Sequence, residues 1–241
     1  FELAATLLKN HLAAPRYEGL VLVLGGDMIN GALHEDSLAT DTCSPLVQAI
    51  EMSRLLSDGV AFLAKEFPRV AVYAVPGNHG RMTRRPWAKW YAQTNLDWLS
   101  YVMLRDYCRG LKNVEVTCPP VRDLTFEVAG RRYRLTHGDQ FRGGDGIIGP
   151  LGPVTRGDVR KRFSAAQIPG GQANYDTLLV GHFHQLLMLP RLVMNGSVKG
   201  YDEFALSINV PFEPPQQALW TVHPRHGPTW YLPVLCEESK K

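Results

Sequence analysis

Leu20-Val21-Leu22-Val23-Leu24-Gly25-Gly26-Asp27 is the stretch on which the fold turns. An unbroken run of Leu and Val, closed by glycines, reads as a strand buried on both faces. Asp27, a good metal ligand, follows at once. The arrangement recurs: Val70 to Val75 lead into Gly77-Asn78-His79, and Leu178 to Val180 lead into Gly181-His182-Phe183-His184. An alternating run, Arg132 to Leu135, leads into Thr136-His137-Gly138-Asp139. Loops that follow parallel strands converge at one edge of a sheet, where open α/β proteins place their sites. One Asp, one Asn and three His in such loops form a hard-to-borderline donor set, not a thiolate one.

Working outward, Phe1 to Asn10 carries an apolar stripe and reads as a helix. Met28 to Ser44 is a polar loop of a length that suggests function. Pro45 to Glu66 reads as a strong helix with Pro at its start and with Leu46, Ile50, Leu55, Ala61 and Leu63 facing the sheet. Ala88 to Arg109 reads as a second long helix closed by Gly110; the near-helical spacing of Trp87, Trp90 and Trp98 assigns them to the core rather than to base stacking. Val114 to Cys118 is a short strand, and Leu124 to Val128 with Arg132 to Leu135 form a hairpin around Ala129-Gly130. Phe141 to Gly171, rich in Gly and Pro, reads as a site loop with a short basic helix over Val159 to Ala166. The remainder is β-rich: Leu186 to Leu189, Leu192 to Asn195, Ala205 to Asn209, Ala218 to Val222 and Thr229 to Leu235. Helices first and antiparallel strands late suit a two-sheet α/β sandwich, four-layered αββα.

The length of 241 residues suggests one domain, 1–241, and 45% apolar residues give an ordinary globular core. A net charge of +3 does not by itself demand nucleic acid. Basic residues cluster at Arg81 to Arg85, Arg131 to Arg134 and Arg156 to Arg162; the second reads as a solvated hairpin face, the other two lean towards phosphate contact. Cys43, Cys108, Cys118 and Cys236 lack zinc-finger or CxxC spacing and read as reduced structural thiols of a cytoplasmic protein. No apolar run is long enough for a membrane span.

The four motifs in order resemble the calcineurin-like metallophosphoesterase superfamily, whose signature runs D-x-H, G-D, G-N-H, a lone His, then G-H-x-H. The wording Leu24 to Gly31, Gly77 to Arg84, Thr136 to Gly144 and Asn195 to Glu203 is closer still to phage and prophage members. The match covers nearly the whole chain except the D-x-H, which is absent. The expectation is that the first strand lies before Phe1, so that the domain as given is N-terminally incomplete and its second metal shell is half formed.

The resemblance implies the αββα sandwich of two mixed sheets. It also implies a metal-dependent phosphoesterase, with phosphodiesters the expected substrates and nucleic acid a candidate. Two divalent ions, among Mn, Fe, Zn, Co and Ni, would hold the attacking hydroxide. It puts Asp27, Asn78, His137 and His182 around one ion, and Asp27 and His184 on the other. It gives His79 the role of proton donor or charge stabiliser, which an imidazole fills at neutral pH; without the motif His79 is a surface-loop histidine. Two residues apart on an extended segment, His182 and His184 would point the same way. Asp139 reads as orienting a ligand or the loop. Arg81 is the candidate for gripping phosphate oxygens. His34, Glu35 and Asp36 read as a solvated loop, and His11, His223 and His226 as structural or exposed. The competing readings are a phosphomonoesterase or protein phosphatase, and an inactive module of the same fold that docks nucleic acid or a protein, favoured only by the missing D-x-H.

Overall fold

The computed structural model describes residues 1–10, 17–33, 39, 41–142, 149–201, 206 and 212–236. Of the strand expected at Ala205 to Asn209 only Leu206 is among them, and His11, His34, Glu35 and Asp36 lie outside them. The chain forms mixed α/β structure with two main sheets and, among the described residues, four helices. It divides into two compact units, Phe1–Leu124 and Thr125–Lys241.

The first unit is built on a parallel sheet of β1 (Leu20–Leu24), β2 (Val70–Ala74) and β3 (Val114–Thr117), in that order. β1 and β2 run in register from Leu20 opposite Val70 to Leu24 opposite Ala74. Val70, Val72, Ala74 and Val75 are buried, as the apolar run predicts for a central parallel strand. Among the described residues three helices belong to this unit: α1 (Glu2–Asn10), α2 (Pro45–Glu66) and α3 (Leu96–Cys108). α1 packs against α2 through the Phe1 ring, which lies where a side chain on Gly59 would stand.

α2 has the expected boundaries, with Pro45 in its first turn and the Ser44 hydroxyl accepting from the Val47 N–H at 3.4 Å. Of the expected face only Leu63 is buried, with Ala61 half-buried. Ala49, Ser53, Leu56, Gly59, Val60 and Leu63 are buried, whereas Leu46, Ile50 and Leu55 are exposed. The inward stripe uses small residues where α2 and α3 pack closely: the Ser100 hydroxyl donates to the Ala49 carbonyl at 3.0 Å. α3 also corrects the sequence reading, which placed a helix over Ala88 to Arg109. Asn95 is extended and its side chain accepts from the Asp97 N–H, so the helix begins only at Leu96. Trp87 and Trp90 are thereby left exposed, and only Trp98 sits in the helix, donating to the Cys118 carbonyl at 3.0 Å.

In the second unit β4 (Asp123–Val128), which straddles the boundary, and β5 (Arg131–Thr136) join through Ala129 and Gly130, both at positive φ (48° and 76°) as a tight hairpin turn requires. With β6 (Thr177–Val180), β7 (Leu187–Leu189) and β8 (Leu192–Met194) they form a mixed sheet of order β4-β5-β6-β8-β7. β5, β6 and β8 are mutually parallel, and β7 returns antiparallel. β9 (Gln216–His223) and β10 (Gly227–Leu235) form a separate antiparallel ribbon.

The Gly/Pro-rich segment contains a longer helix than its composition suggested, α4 (Leu151–Gln167). Pro153 falls in the first turn, where its missing N–H costs nothing. Gly157 accommodates the Phe141 ring, 2.2 Å from where its Cβ would be. Arg162 fastens the helix: it stacks 3.6 Å over Tyr175, donates to the Tyr175 carbonyl at 2.7 Å and pairs with Asp158 at 2.9 Å. Buried Phe141, Val154, Tyr175, Leu178, Val180, Leu192 and Met194 make up the core beneath it.

The corrected face of α2 predicts opposite outcomes for two leucines. Leu63→Ala, at a buried position, should cost about 2–5 kcal/mol in chemical denaturation. Leu55→Ala, at a side chain 63% exposed, should stay within about 0.5 kcal/mol. Equal effects would contradict the assigned face.

Candidate metal centre

Asp27, Asn78 and His79 leave the sheet of the first unit side by side. Because β1 and β2 end level, and Val75 N–H still donates to the Leu24 carbonyl at 3.0 Å, the two following loops run in contact. Their glycines allow it. A Cβ on Gly26 (φ 89°) would lie 2.2 Å from the Gly77 nitrogen, and one on Gly77 would lie 2.1 Å from Oδ1 of Asp27. Asp27 is itself left-handed (φ 54°), a conformation that costs energy for a non-glycine residue and must be held by its surroundings.

What holds it is Asp97, which the sequence reading did not single out. This carboxylate is fully buried. Oδ2 accepts from the backbone N–H of Asp27 at 2.8 Å and of Gly77 at 2.9 Å, and Oδ1 accepts from Met28 N–H at 3.2 Å. Its place in the first turn of α3 adds the favourable end of the helix dipole. Asn95 completes the clamp: its amide donates to the Gly77 carbonyl at 2.7 Å while its oxygen accepts from Asp97 N–H at 2.9 Å. The signal that could have found this pair is the Asn95-Leu96-Asp97 helix start. Beneath it Tyr101 is fully buried, and its phenol is pushed well above its ordinary value, first by burial and then by the Asp97 and Asp27 carboxylates.

The side chains on this frame are themselves oriented. Oδ1 of Asp27 accepts from His79 N–H at 2.8 Å, which leaves the carboxylate further acceptor capacity. Nδ1 of His79 lies 3.0 Å from the Asn30 carbonyl, an acceptor, so that nitrogen carries a proton. The loop bearing Asn30 is tied down through Asp41, which accepts from Asn30 at 2.7 Å and from Gln48 at 2.7 Å. Asn78 is half-buried on the same turn. Arg81 spends its guanidinium locally, donating to the carbonyls of Thr83 at 2.8 Å and Arg84 at 3.4 Å.

The second unit repeats the device. β5 and β6 end level at Thr136 and Val180, and Gly181 N–H donates to the His137 carbonyl at 2.9 Å. This brings the rings of His137 and His182 to 5.0 Å, edge to face, with a nitrogen of each within 4.8 Å of the other. His137 is buried. Gly138 (φ 122°) gives the crossing room, since a Cβ there would lie 2.7 Å from Val180. His182 and His184 are not on extended backbone as expected: both are left-handed, at φ 67° and 54°. Parallel strands delivering two imidazoles to one place, without a thiolate, suit a divalent metal ion. The four cysteines are free.

No protein-family model matches the chain, and no curated protein does. Among solved structures it is similar to Vps29 from Entamoeba histolytica, crystallised with zinc, at 15% identity over 90% of this chain and 99% of that one, TM-score 0.35. It is similar to vacuolar protein sorting 29 from Cryptosporidium parvum at 16% identity over 89% and 96%, TM-score 0.35. A Streptococcus pneumoniae protein described as a predicted phosphoesterase is 11% identical over 82% and 79%, TM-score 0.30.

Asp97→Asn keeps the shape but turns one acceptor into a donor, so one of the three backbone N–H groups must face an NH2. It should lower stability by about 1–3 kcal/mol in denaturant titration. A change under about 0.5 kcal/mol would show that the clamp is dispensable.

Proposed function

We propose that the chain is a metal-dependent phosphoesterase acting on phosphodiesters. The observation that supports this most is the paired His137 and His182 imidazoles on neighbouring strand ends, matched by Asp27 and His79 on the neighbouring strand ends of the other unit. In this reading Asp27, Asn78, His137 and His182 hold one divalent ion, and Asp27 with His184 serves a second. Such ions would supply positive charge against the phosphoryl oxygens and activate water at neutral pH.

The protein's own groups do the rest. The Asp97 clamp fixes Asp27 so that its carboxylate need not reorganise. His79, with Nδ1 committed to the Asn30 carbonyl, presents Nε2 and delivers a proton from it to the departing oxygen. Arg81 closes its loop through the Thr83 and Arg84 carbonyls with two of its five guanidinium N–H groups and grips a phosphate oxygen with the others.

The test is hydrolysis of bis-p-nitrophenyl phosphate and p-nitrophenyl phosphate by the full chain loaded with Mn, with metal content measured by mass spectrometry. The diester should be turned over faster. His79→Ala should lower kcat by ~10²–10⁴-fold while metal content holds. His137→Ala should lose metal and activity together. A metal-loaded chain that turns over no phosphoester would overturn the reading.

Among the described residues no helix is long and apolar enough to cross a membrane.

A further inference from the structure

Immediately after His79 the chain runs Gly80-Arg81-Met82-Thr83-Arg84-Arg85-Pro86-Trp87-Ala88-Lys89-Trp90, and no acidic residue occurs before Asp97. The side chains of this loop face water. Met82 is 65% exposed, Trp87 54% and Trp90 59%, and Arg84, Arg85 and Lys89 are exposed beside them. Large apolar side chains grouped on a surface mark a contact site more often than they occur by chance.

The loop is built, not slack. Its base is closed by Leu96 N–H donating to the Gly80 carbonyl at 2.7 Å and Met82 N–H to the Thr94 carbonyl at 3.0 Å. Its far end is closed at Trp90, whose carbonyl accepts from both the N–H and the hydroxyl of Thr94 at 3.1 Å. Trp90 is left-handed (φ 59°), a costly conformation for a bulky aromatic residue and one that clusters at functional positions. The Lys89 ammonium stands 5.3 Å from the Trp90 ring centre, so a cation and an aromatic face are offered together.

We propose that Met82–Trp90 is a docking platform for single-stranded nucleic acid, with Trp87 and Trp90 stacking on bases and Arg84, Arg85 and Lys89 gripping phosphates. Flat aromatic faces interleaved with cations are what an unpaired strand needs: each base stacks regardless of its identity, and each phosphate finds a positive charge. An anionic lipid surface would also attract Trp, Arg and Lys, but membrane-surface segments bury a continuous apolar helix face. Here the segment is a hydrogen-bonded loop whose aliphatic side chains are only Met82, Pro86 and Ala88. The platform follows in sequence directly on the turn that carries His79, the proposed proton donor. As a substrate site it rests on the phosphodiesterase reading; as a binding site it is tested separately.

The experiment is fluorescence anisotropy of a labelled oligothymidylate with the full chain in EDTA, where no hydrolysis intervenes. Sedimentation with phosphatidylcholine–phosphatidylglycerol vesicles runs beside it. Trp87→Ala should weaken oligonucleotide binding by roughly 5- to 100-fold. Arg84→Gln with Arg85→Gln, both at exposed side chains, should weaken it and lower the slope of log affinity against log salt by about 1.4. Thermal melting confirms that each variant is folded. No binding of the oligonucleotide, binding unchanged in these variants, or binding to vesicles alone would overturn the platform. Loss of the platform with diester turnover intact would leave the hydrolytic reading standing, and the converse result would leave the platform standing alone.

Discussion

A single buried carboxylate organises the first unit. Taking Asp97 out of water would cost several kcal/mol unless its charge were met by donors, and three backbone N–H groups from two different loops meet it. The bargain is mutual. Gly77 and Asp27 have turned away from the β ladder, and their N–H groups would otherwise be unsatisfied. The left-handed turn at Asp27 and the contact between the Gly26 and Gly77 backbones persist because this clamp over-determines them. Strain at the loop carrying a candidate ligand is thus balanced by a residue some seventy positions along the chain.

The second unit solves the same problem with strand register rather than a buried charge. β5 and β6 end level, their loops exchange a backbone hydrogen bond, and the His137 and His182 rings are brought together as a consequence. Left-handed backbone at His182 and His184 replaces the extended segment that their spacing suggested. In both units the candidate ligands stand on the turns that leave adjacent parallel strands, which is why residues distant in sequence become neighbours within each unit.

Much of this was legible because sheet strands leave continuous apolar runs, and β1, β2 and β6 were read from those runs with at most a residue's difference at their ends. β2 and β6 are buried as expected, whereas β1, at the end of its sheet's order, is buried only at Leu24 and half-buried over Leu20–Val23. α2 shows the limit of the method. Its ends were clear from Pro45 and the Ser44 cap, but its inward face was not, since close packing there selects Ala49, Ser53 and Gly59, which carry little hydrophobic signal. The tryptophans misled in the opposite sense. Their near-helical spacing suggested core, whereas the cap at Asn95 stops the helix short and leaves Trp87 and Trp90 in water. α4 was shortened because Gly152, Pro153 and Gly157 look like loop residues, although the proline lies in a first turn and Gly157 makes room for Phe141. Asp97 escaped notice because a lone Asp in a helix carries no motif; only its partners reveal its role.

The central claim is that carboxylate and imidazoles from separate loops hold one divalent cation. Anomalous diffraction from crystals of the chain grown with Mn tests it most directly. The account predicts a peak about 2.0–2.2 Å from the Asp27 carboxylate and from imidazole nitrogens of His137 and His182. A peak that touches none of these side chains, or none at saturating Mn, would contradict it.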